Sequence, residues 1–394
     1  MPLDTSSKTA PSSICVYTRA WRTSGTGLFA QELVDGLLKS GVKVTFVSPV
    51  VDNAEMEQPR DGLRRLRPVR EFVTPALLPV RALRSFIRIF GSIFYLLLAR
   101  VNNRTFIITI PDPLAFFIPT LFLLRLTRAR IIFIAHDPVP HCWRFSKRWR
   151  RFEKFAHESC YRLSDTIVVL SEATRLKLLE FFPHVRKPVE VIEHGDFAFR
   201  RVTPPPGNGG LLVFGTLRRN KGVLEAIAGC IAAHAAGAPI RLVVAGEPYR
   251  EEPGYAEQCR DLAATAPEAI TLRMGYVDDA DLPGLFAECD ALVMPYTEFF
   301  SQSGVALLAA SNARPIIASR AGGIAALIDE GMPSVVVAHP ITAENVFTAV
   351  MKFRETPNDE WVRRCMEYRD LTLQRRSWKV IAGRYAALAK SLGG

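Results

Sequence analysis

The feature that most constrains this chain is a rhythm of short apolar runs separated by stretches of helical periodicity. “ICVYTRA” (14–20) reads as a buried strand, “TGLFAQELVDGLLKSG” (26–41) as a helix stopped by a glycine, and “VKVTFVSP” (42–49) as the next strand. “FIITIP” (106–111), “RIIFIAHD” (130–137), “TIVVLS” (166–171) and “VEVIEHG” (189–195) continue the series. A strand that is apolar along its whole length is buried on both faces. Short apolar strands alternating with helices therefore predict βαβ units and a parallel sheet covered on both sides.

The rhythm breaks at “RRVTPPPGNGG” (200–210), where three prolines and three glycines make the clearest boundary in the chain. It then restarts with “LLVFGT” (211–216), “IRLVVAG” (240–246), “ITLRMGYV” (270–277), “ALVMPY” (291–296), “RPIIAS” (314–319) and “SVVVAHP” (334–340). The expected layout is a polar tail over 1–13, a Rossmann-like α/β domain over 14–200 and a linker over 201–210. A second Rossmann-like domain follows over 211–375, and a last helix over 376–394 that packs back on the first half. Paired α/β domains of this kind hold ligands in the cleft between them.

Bulk properties narrow the partners. The 394 residues carry a net charge of +11, which suits a phosphorylated ligand or an anionic membrane surface. No nucleic-acid-binding module is visible. The seven cysteines are scattered, odd in number and without metal-ligand spacing, which argues for a reducing compartment. “MPLDTSSKTAPSS” lacks the apolar core of a signal peptide, and no apolar run is clean enough to span a bilayer, so the expected location is cytoplasmic.

Four loops carry the chemistry. “RTSGTGLFAQEL” places Gly25 and Gly27 between a strand and a helix, where bare backbone and helix-start amides favour an anion; a tight turn is the plainer alternative. “IAHDPVPH” ends a core strand with His136 and Asp137, followed by His141. A histidine at a strand's carboxyl end can hydrogen-bond a substrate hydroxyl or exchange a proton. These three residues have no convincing metal-ligand spacing. “FGTLRRNKG” (214–222) sets Arg218, Arg219 and Lys221 at the mouth of a strand, with Arg218 and Lys221 read as phosphate ligands. “PYTEFFSQSG” brings Glu298 as an acceptor for sugar hydroxyls, then Gln302 and Ser303, an N-cap that would leave the amides of Gly304 and Val305 facing a phosphate.

The order of “SGTG”, “AHD”, “FGTLRRNKG”, “VVAGEP”, “GYVDDADLPGLFAECDALVMPY”, “SQSG”, “RPIIAS” and “AGG” resembles the retaining GT-B glycosyltransferases of family 4 across nearly the whole chain, most specifically over 211–330. The resemblance implies a nucleotide-diphosphate sugar donor, held mainly by the second domain, and transfer with retention and no metal or other cofactor. It implies that Arg218, Lys221, Gly25, Gly27, Ser303, Gly304 and Val305 surround the donor diphosphate, and that His136 and Glu298 stand at the reacting centre. Asp137 and Gln302 would then touch the sugar, and Glu247 of “AGEP” would line the nucleotide site. Where the family often carries a second glutamate eight positions after the first, this chain has Ala306 inside an alanine-rich run that includes Ala309; ribose recognition is left unassigned.

The acceptor is addressed only by charge pattern. “RRLRPVREF”, “RALRSFIRIF” and “WRFSKRWRRFEKF” mix arginines with aromatics in the first half. Arg81, Arg84 and Arg88 share one helical face, with Phe86, Ile89, Phe90 and Ile93 available for another. Such a helix suits an anionic membrane interface. The reading is a peripheral enzyme at the inner face of the cytoplasmic membrane, adding a sugar to a lipid-linked glycan during polysaccharide assembly. A two-lobed sugar-binding protein without chemistry, and a GT-B-fold nucleotide-sugar epimerase, remain alternatives.

Overall fold

Strands β1 (Ser13–Thr18), β2 (Lys43–Val47), β4 (Thr105–Ile110), β5 (Arg130–Ile134), β6 (Thr166–Val169) and β7 (Val189–Val191) form where the continuous apolar runs stand, joined at one edge by β3 (Leu63–Leu66). The computed structural model describes residues 13–19, 25–49, 59–67, 78–138, 150–299 and 302–393. The expected tail up to residue 12, His141, most of “WRFSKRWRRFEKF” and the side chain of Arg81 lie outside the described residues.

The chain divides into two units, residues 1–195 with 378–394, and 196–377. In the first, seven strands pair in the order β3-β2-β1-β4-β5-β6-β7, and each pair is parallel. Alternate side chains of β1 serve two cores. Ile14 and Val16 pack with Phe29 and Leu33 of α1 (Gly25–Lys39), while Cys15 and Tyr17 pack with residues of α2 (Leu78–Arg100), α3 (Leu114–Leu126) and α4 (Arg150–Leu163). Burial on both faces is what a strand apolar throughout requires. Edge strand β3 lies in “LRRL”, a stretch that reads from sequence as a basic run. An edge strand has one hydrogen-bonded neighbour and tolerates charged side chains, and here Arg64 is exposed and Arg65 lies over the Phe46 ring at 6.0 Å.

The last helix, α13 (Trp378–Gly393), belongs to this first unit. It buries Ile381, Ala382 and Tyr385 beside α1. Two glycines make room for it. A Cβ on Gly36 would lie 2.5 Å from the Trp378 carbonyl oxygen, and one on Gly195 would lie 2.3 Å from the Trp378 ring.

In the second unit six parallel strands pair in the order β10 (Ile270–Met274), β9 (Arg241–Gly246), β8 (Gly210–Phe214), β11 (Ala291–Met294), β12 (Ile316–Ala318) and β13 (Ser334–Val336). The helices between them run from α6 (Val223–Ala235), through α7 (Pro253–Ala263), α8 (Leu282–Glu288), α9 (Gly304–Ser311) and α10 (Gly323–Asp329), to α11 (Ala343–Glu355) and α12 (Asn358–Arg376). The proline- and glycine-rich stretch read as a linker docks on this unit. The Asp290 carboxylate accepts from the amides of Gly207 and Gly209, and buried Arg314 donates to the Thr203 carbonyl at 2.6 Å. Both sheets begin at an inner strand, wind outward one way, then cross back to wind the other way. The reversal falls between β1 and β4 in one unit and between β8 and β11 in the other. Ligands bind such sheets outside the carboxyl ends of the strands at that reversal.

Candidate functional site

In the second unit, the two loops that leave the reversal strands β8 and β11 are the ones the sequence singled out. The β8 loop leaves through Gly215 (φ 103°) and closes through Gly222 in the left-handed region (φ 63°). Both conformations favour glycine. A side chain at Gly222 would put its Cβ 2.2 Å from the Pro295 carbonyl oxygen, so this glycine lets the β8 loop lie against the end of β11. Asn220 fastens the two loops further. Its carbonyl accepts from the Thr297 amide at 2.9 Å, and its amide group donates to the Glu298 carbonyl at 3.0 Å. On the other side, Gly246 fits its missing Cβ against the Gly215 carbonyl oxygen, and the Leu217 amide donates to the Glu247 carbonyl at 3.0 Å.

This lacing sorts the three cations. Arg219 turns toward α7, with its backbone amide on the Glu252 carboxylate and its guanidinium on Gln258. Arg218 lies over the Tyr249 ring at 4.0 Å, and its Nε is buried without an acceptor among the described residues. Lys221 is half-buried with no carboxylate partner among them, and its pKa is lowered to about 8, first by burial and then by the charge of Arg218. A Cβ placed on Gly215 would sit 3.0 Å from Lys221 Nζ and 3.5 Å from Val305 Cγ2, so the ammonium, bare backbone and the start of α9 meet at one point.

Helix α9 begins as an open N-terminus. Ser303 is buried and its hydroxyl accepts from the Ala306 amide at 3.2 Å, so it acts as a cap. The amides of Gly304 and Val305 have no acceptor among the described residues, and Gln302 Nε2 is buried and equally without one. The neighbouring helix α6 differs, because the Tyr255 hydroxyl accepts from its first two amides, Val223 and Leu224, at 3.0 and 3.2 Å. The two loops thus carry donors lacking acceptors among the described residues: one desolvated ammonium, one guanidinium nitrogen, one side-chain amide and two backbone amides. Such a set fits an anion rich in oxygen. Glu247 and Glu298 stand on the rims. Both are exposed, Glu247 lies 3.7 Å from Arg250, and the Glu298 backbone carbonyl accepts from Asn220.

In the first unit, His136 and Asp137 follow β5. The His136 ring meets Phe29 of α1 edge-on at 4.8 Å, which sets it beside the helix that Gly25 and Gly27 open. Burial lowers its pKa to about 4, against the opposing pull of Asp137, so the ring is neutral at neutral pH. Its Nε2 is buried without a partner among the described residues. Asp137 is exposed. Sequence reasoning missed His194, whose ring meets the same Phe29 at 5.0 Å and Trp378 at 5.5 Å. It ends “VIEHG” as His136 ends “IAHD”, so the same strand-end rule would have found it. Also missed was Tyr17, which donates to Asp112 at 2.7 Å, with Arg88 3.3 Å from the other oxygen of that carboxylate. No group of three or more His, Cys, Asp or Glu among the described residues is arranged to hold a metal ion.

Comparison with known proteins follows the two-unit division. Residues 23–195 match the model described as Glycosyltransferase Family 4, and residues 209–354 match Glycosyl transferases group 1. Curated relatives include the glycogen synthases of two Mycobacterium tuberculosis strains, 28% identical over 204 residues, which is 50% of this chain and 47% of theirs. The alignment thus spans about half the length of those relatives. Similar solved structures include sucrose-phosphate synthase from Thermosynechococcus elongatus (TM-score 0.71, 15% identity, 97% of this chain and 99% of that one). Another is Anabaena HepE in complex with UDP and glucose (TM-score 0.68, 14% identity, 96% and 100%). At these identities the structures speak for the fold, which is GT-B. With both halves matched in order by models of one enzyme class, the chain belongs to the group 1, family 4 type glycosyltransferases.

Proposed function

We propose that the chain moves a sugar from a nucleotide-diphosphate donor to an acceptor hydroxyl with retention of anomeric configuration. The carrying observation is the convergence of Lys221 Nζ, Gly215 and Val305 beside the unsatisfied donors of Arg218, Gln302 and α9. Breaking a sugar–phosphate bond leaves growing negative charge on the departing nucleotide. Fixed cations and amides, already desolvated, stabilise that charge without reorganising. In this reading they take the part a metal plays elsewhere, and no cofactor is needed. His136, held neutral by burial, serves as a hydrogen-bond partner of the transferred sugar, with Asp137 and Glu298 as further polar neighbours. The co-crystallised UDP and glucose of HepE support a nucleotide-sugar donor. The acceptor in this reading is a lipid-linked glycan of polysaccharide assembly, met at a membrane surface.

The test is calorimetry of the purified chain against UDP-, GDP- and ADP-sugars, followed by product analysis with lipid-linked acceptors. One donor should bind and turn over, and the product should keep the donor's anomeric configuration. Binding without turnover on any acceptor would turn the reading into one of a sugar-binding protein. Interconversion of the donor sugar without transfer would make it an epimerase.

A further inference from the structure

Helix α2 buries Leu96 and Ala99 in the core yet is apolar on its exposed face as well. Every exposed side chain described on it is apolar, with Leu83, Phe86, Ile87, Phe90, Phe94 and Leu98 forming one stripe. The Phe86 and Phe90 rings touch at 4.3 Å between centroids. Among its described polar residues, Ser92 is buried against Tyr17 and Arg88 lies beside Asp112. Neighbouring α3 repeats the pattern, since its exposed positions are Phe116, Pro119, Phe122, Leu123 and Leu126. The two helices pack together, and α4, packed on α3, adds exposed Phe152 and Phe155. Most exposed large apolar side chains among the described residues lie on this one layer. Scattered surface apolar residues are ordinary, but a contiguous face is not.

We infer that the α2–α3 face seats in the hydrocarbon margin of an anionic bilayer, with its helices lying in the plane. This deepens the membrane part of the function proposed above and rests on it only for location. Charge selects the occupant. Residues 78–130 hold eight arginines and one acidic residue, the buried Asp112 beside Arg88, while Arg125 and Arg130 pair with Asp165. Arg104 and Arg128 are exposed just beyond the carboxyl ends of α2 and α3, and Arg150 and Arg151 at the start of α4. An apolar stripe rimmed by arginine matches acyl chains below anionic headgroups. A second copy docked face to face would instead bring like charges together. From Leu83 to Leu98 the stripe runs about 22 Å at the helical rise, and no helix of the described residues is long and apolar enough to cross a membrane.

The test uses the full chain and vesicles of phosphatidylcholine with or without phosphatidylglycerol, with no donor or acceptor present. Wild type should float with the anionic vesicles. Phe86→Ser, Phe90→Ser and Phe94→Ser together should lower vesicle affinity about tenfold or more, with unfolding temperature and nucleotide-sugar affinity unchanged. As a second readout, Phe90→Trp emission should shift to the blue on vesicle addition. The inference is overturned if wild type stays unbound at low salt, or if the triple variant floats as well as wild type. It is also overturned if wild type sediments as a dimer that the triple variant splits. Flotation with no affinity for any nucleotide sugar would remove the donor-site reading and leave this face standing.

Discussion

Lys221 is held as a buried ammonium at a cost in stability. Its ordinary pKa is 10.5, and burial with a neighbouring Arg218 brings it to about 8 in the folded chain. Between those values the unfolded chain holds more protons, so the unliganded fold gains stability as pH rises from about 8 toward 10.5. Lys221→Met should therefore raise the melting temperature at pH 7 while weakening nucleotide-sugar binding about 30-fold or more, read by thermal unfolding and calorimetry. Wild-type affinity should fall as pH rises through about 8 and the ammonium is lost. His136 shows the same sign in a lower pH window. Its folded pKa of about 4 lies below the ordinary 6.5, so its share of stability is present above 6.5 and is lost as pH falls toward 4. The imidazole resonances of His136 should stay flat from pH 6 to 8, and His136→Ala should slow turnover more than it weakens donor binding. Arg314, in the quoted “RPIIAS”, turns out to be wholly buried, donating to the carbonyls of Phe286, Cys289 and Thr203. Arg314→Leu would remove the donor that serves all three carbonyls and should cost about 3 kcal/mol in chemical denaturation.

At the scale of elements, loops rather than strands decide the site. The glycine that ends “RRNKG” was legible as a helix start, but its purpose was not: only the Pro295 carbonyl at 2.2 Å from its missing Cβ explains it. Gly222→Ala combines that clash with a left-handed backbone, and should destabilise the second unit by about 2 kcal/mol or more and disrupt nucleotide binding with it. Capping likewise separates two helices that look alike in sequence. Helix α6 spends its amides on the Tyr255 hydroxyl, whereas α9 keeps two open. Tyr255→Phe should therefore cost about 1 kcal/mol of stability and leave nucleotide affinity nearly intact, which thermal unfolding and calorimetry would separate. The arginines of α2 could be placed on a helix from spacing alone. That Arg88 faces Asp112 while phenylalanines face outward could not, because periodicity gives a stripe and not its direction.

For the whole molecule, the last helix completes the first unit despite coming after the second in the chain. Ending the protein at Ser377 would strip Trp378, Ile381, Ala382 and Tyr385 from a core that also holds Phe29, and the truncated chain should aggregate or lose its cooperative unfolding transition. The strand order needed no structure to anticipate in kind: continuous apolar runs alternating with helices permit little besides parallel sheets, since each such strand must be covered twice. Sequence therefore determined the α/β class, two sheets and the loops worth watching, because those depend on local composition and on residues close together in the chain. Edge strand β3, the inward Arg88, the capped α6 and the grouping of Lys221 with Val305 beside Gly215 came only from the fold. Each depends on which atoms, far apart in sequence, are brought within a few ångströms and whether water can still reach them.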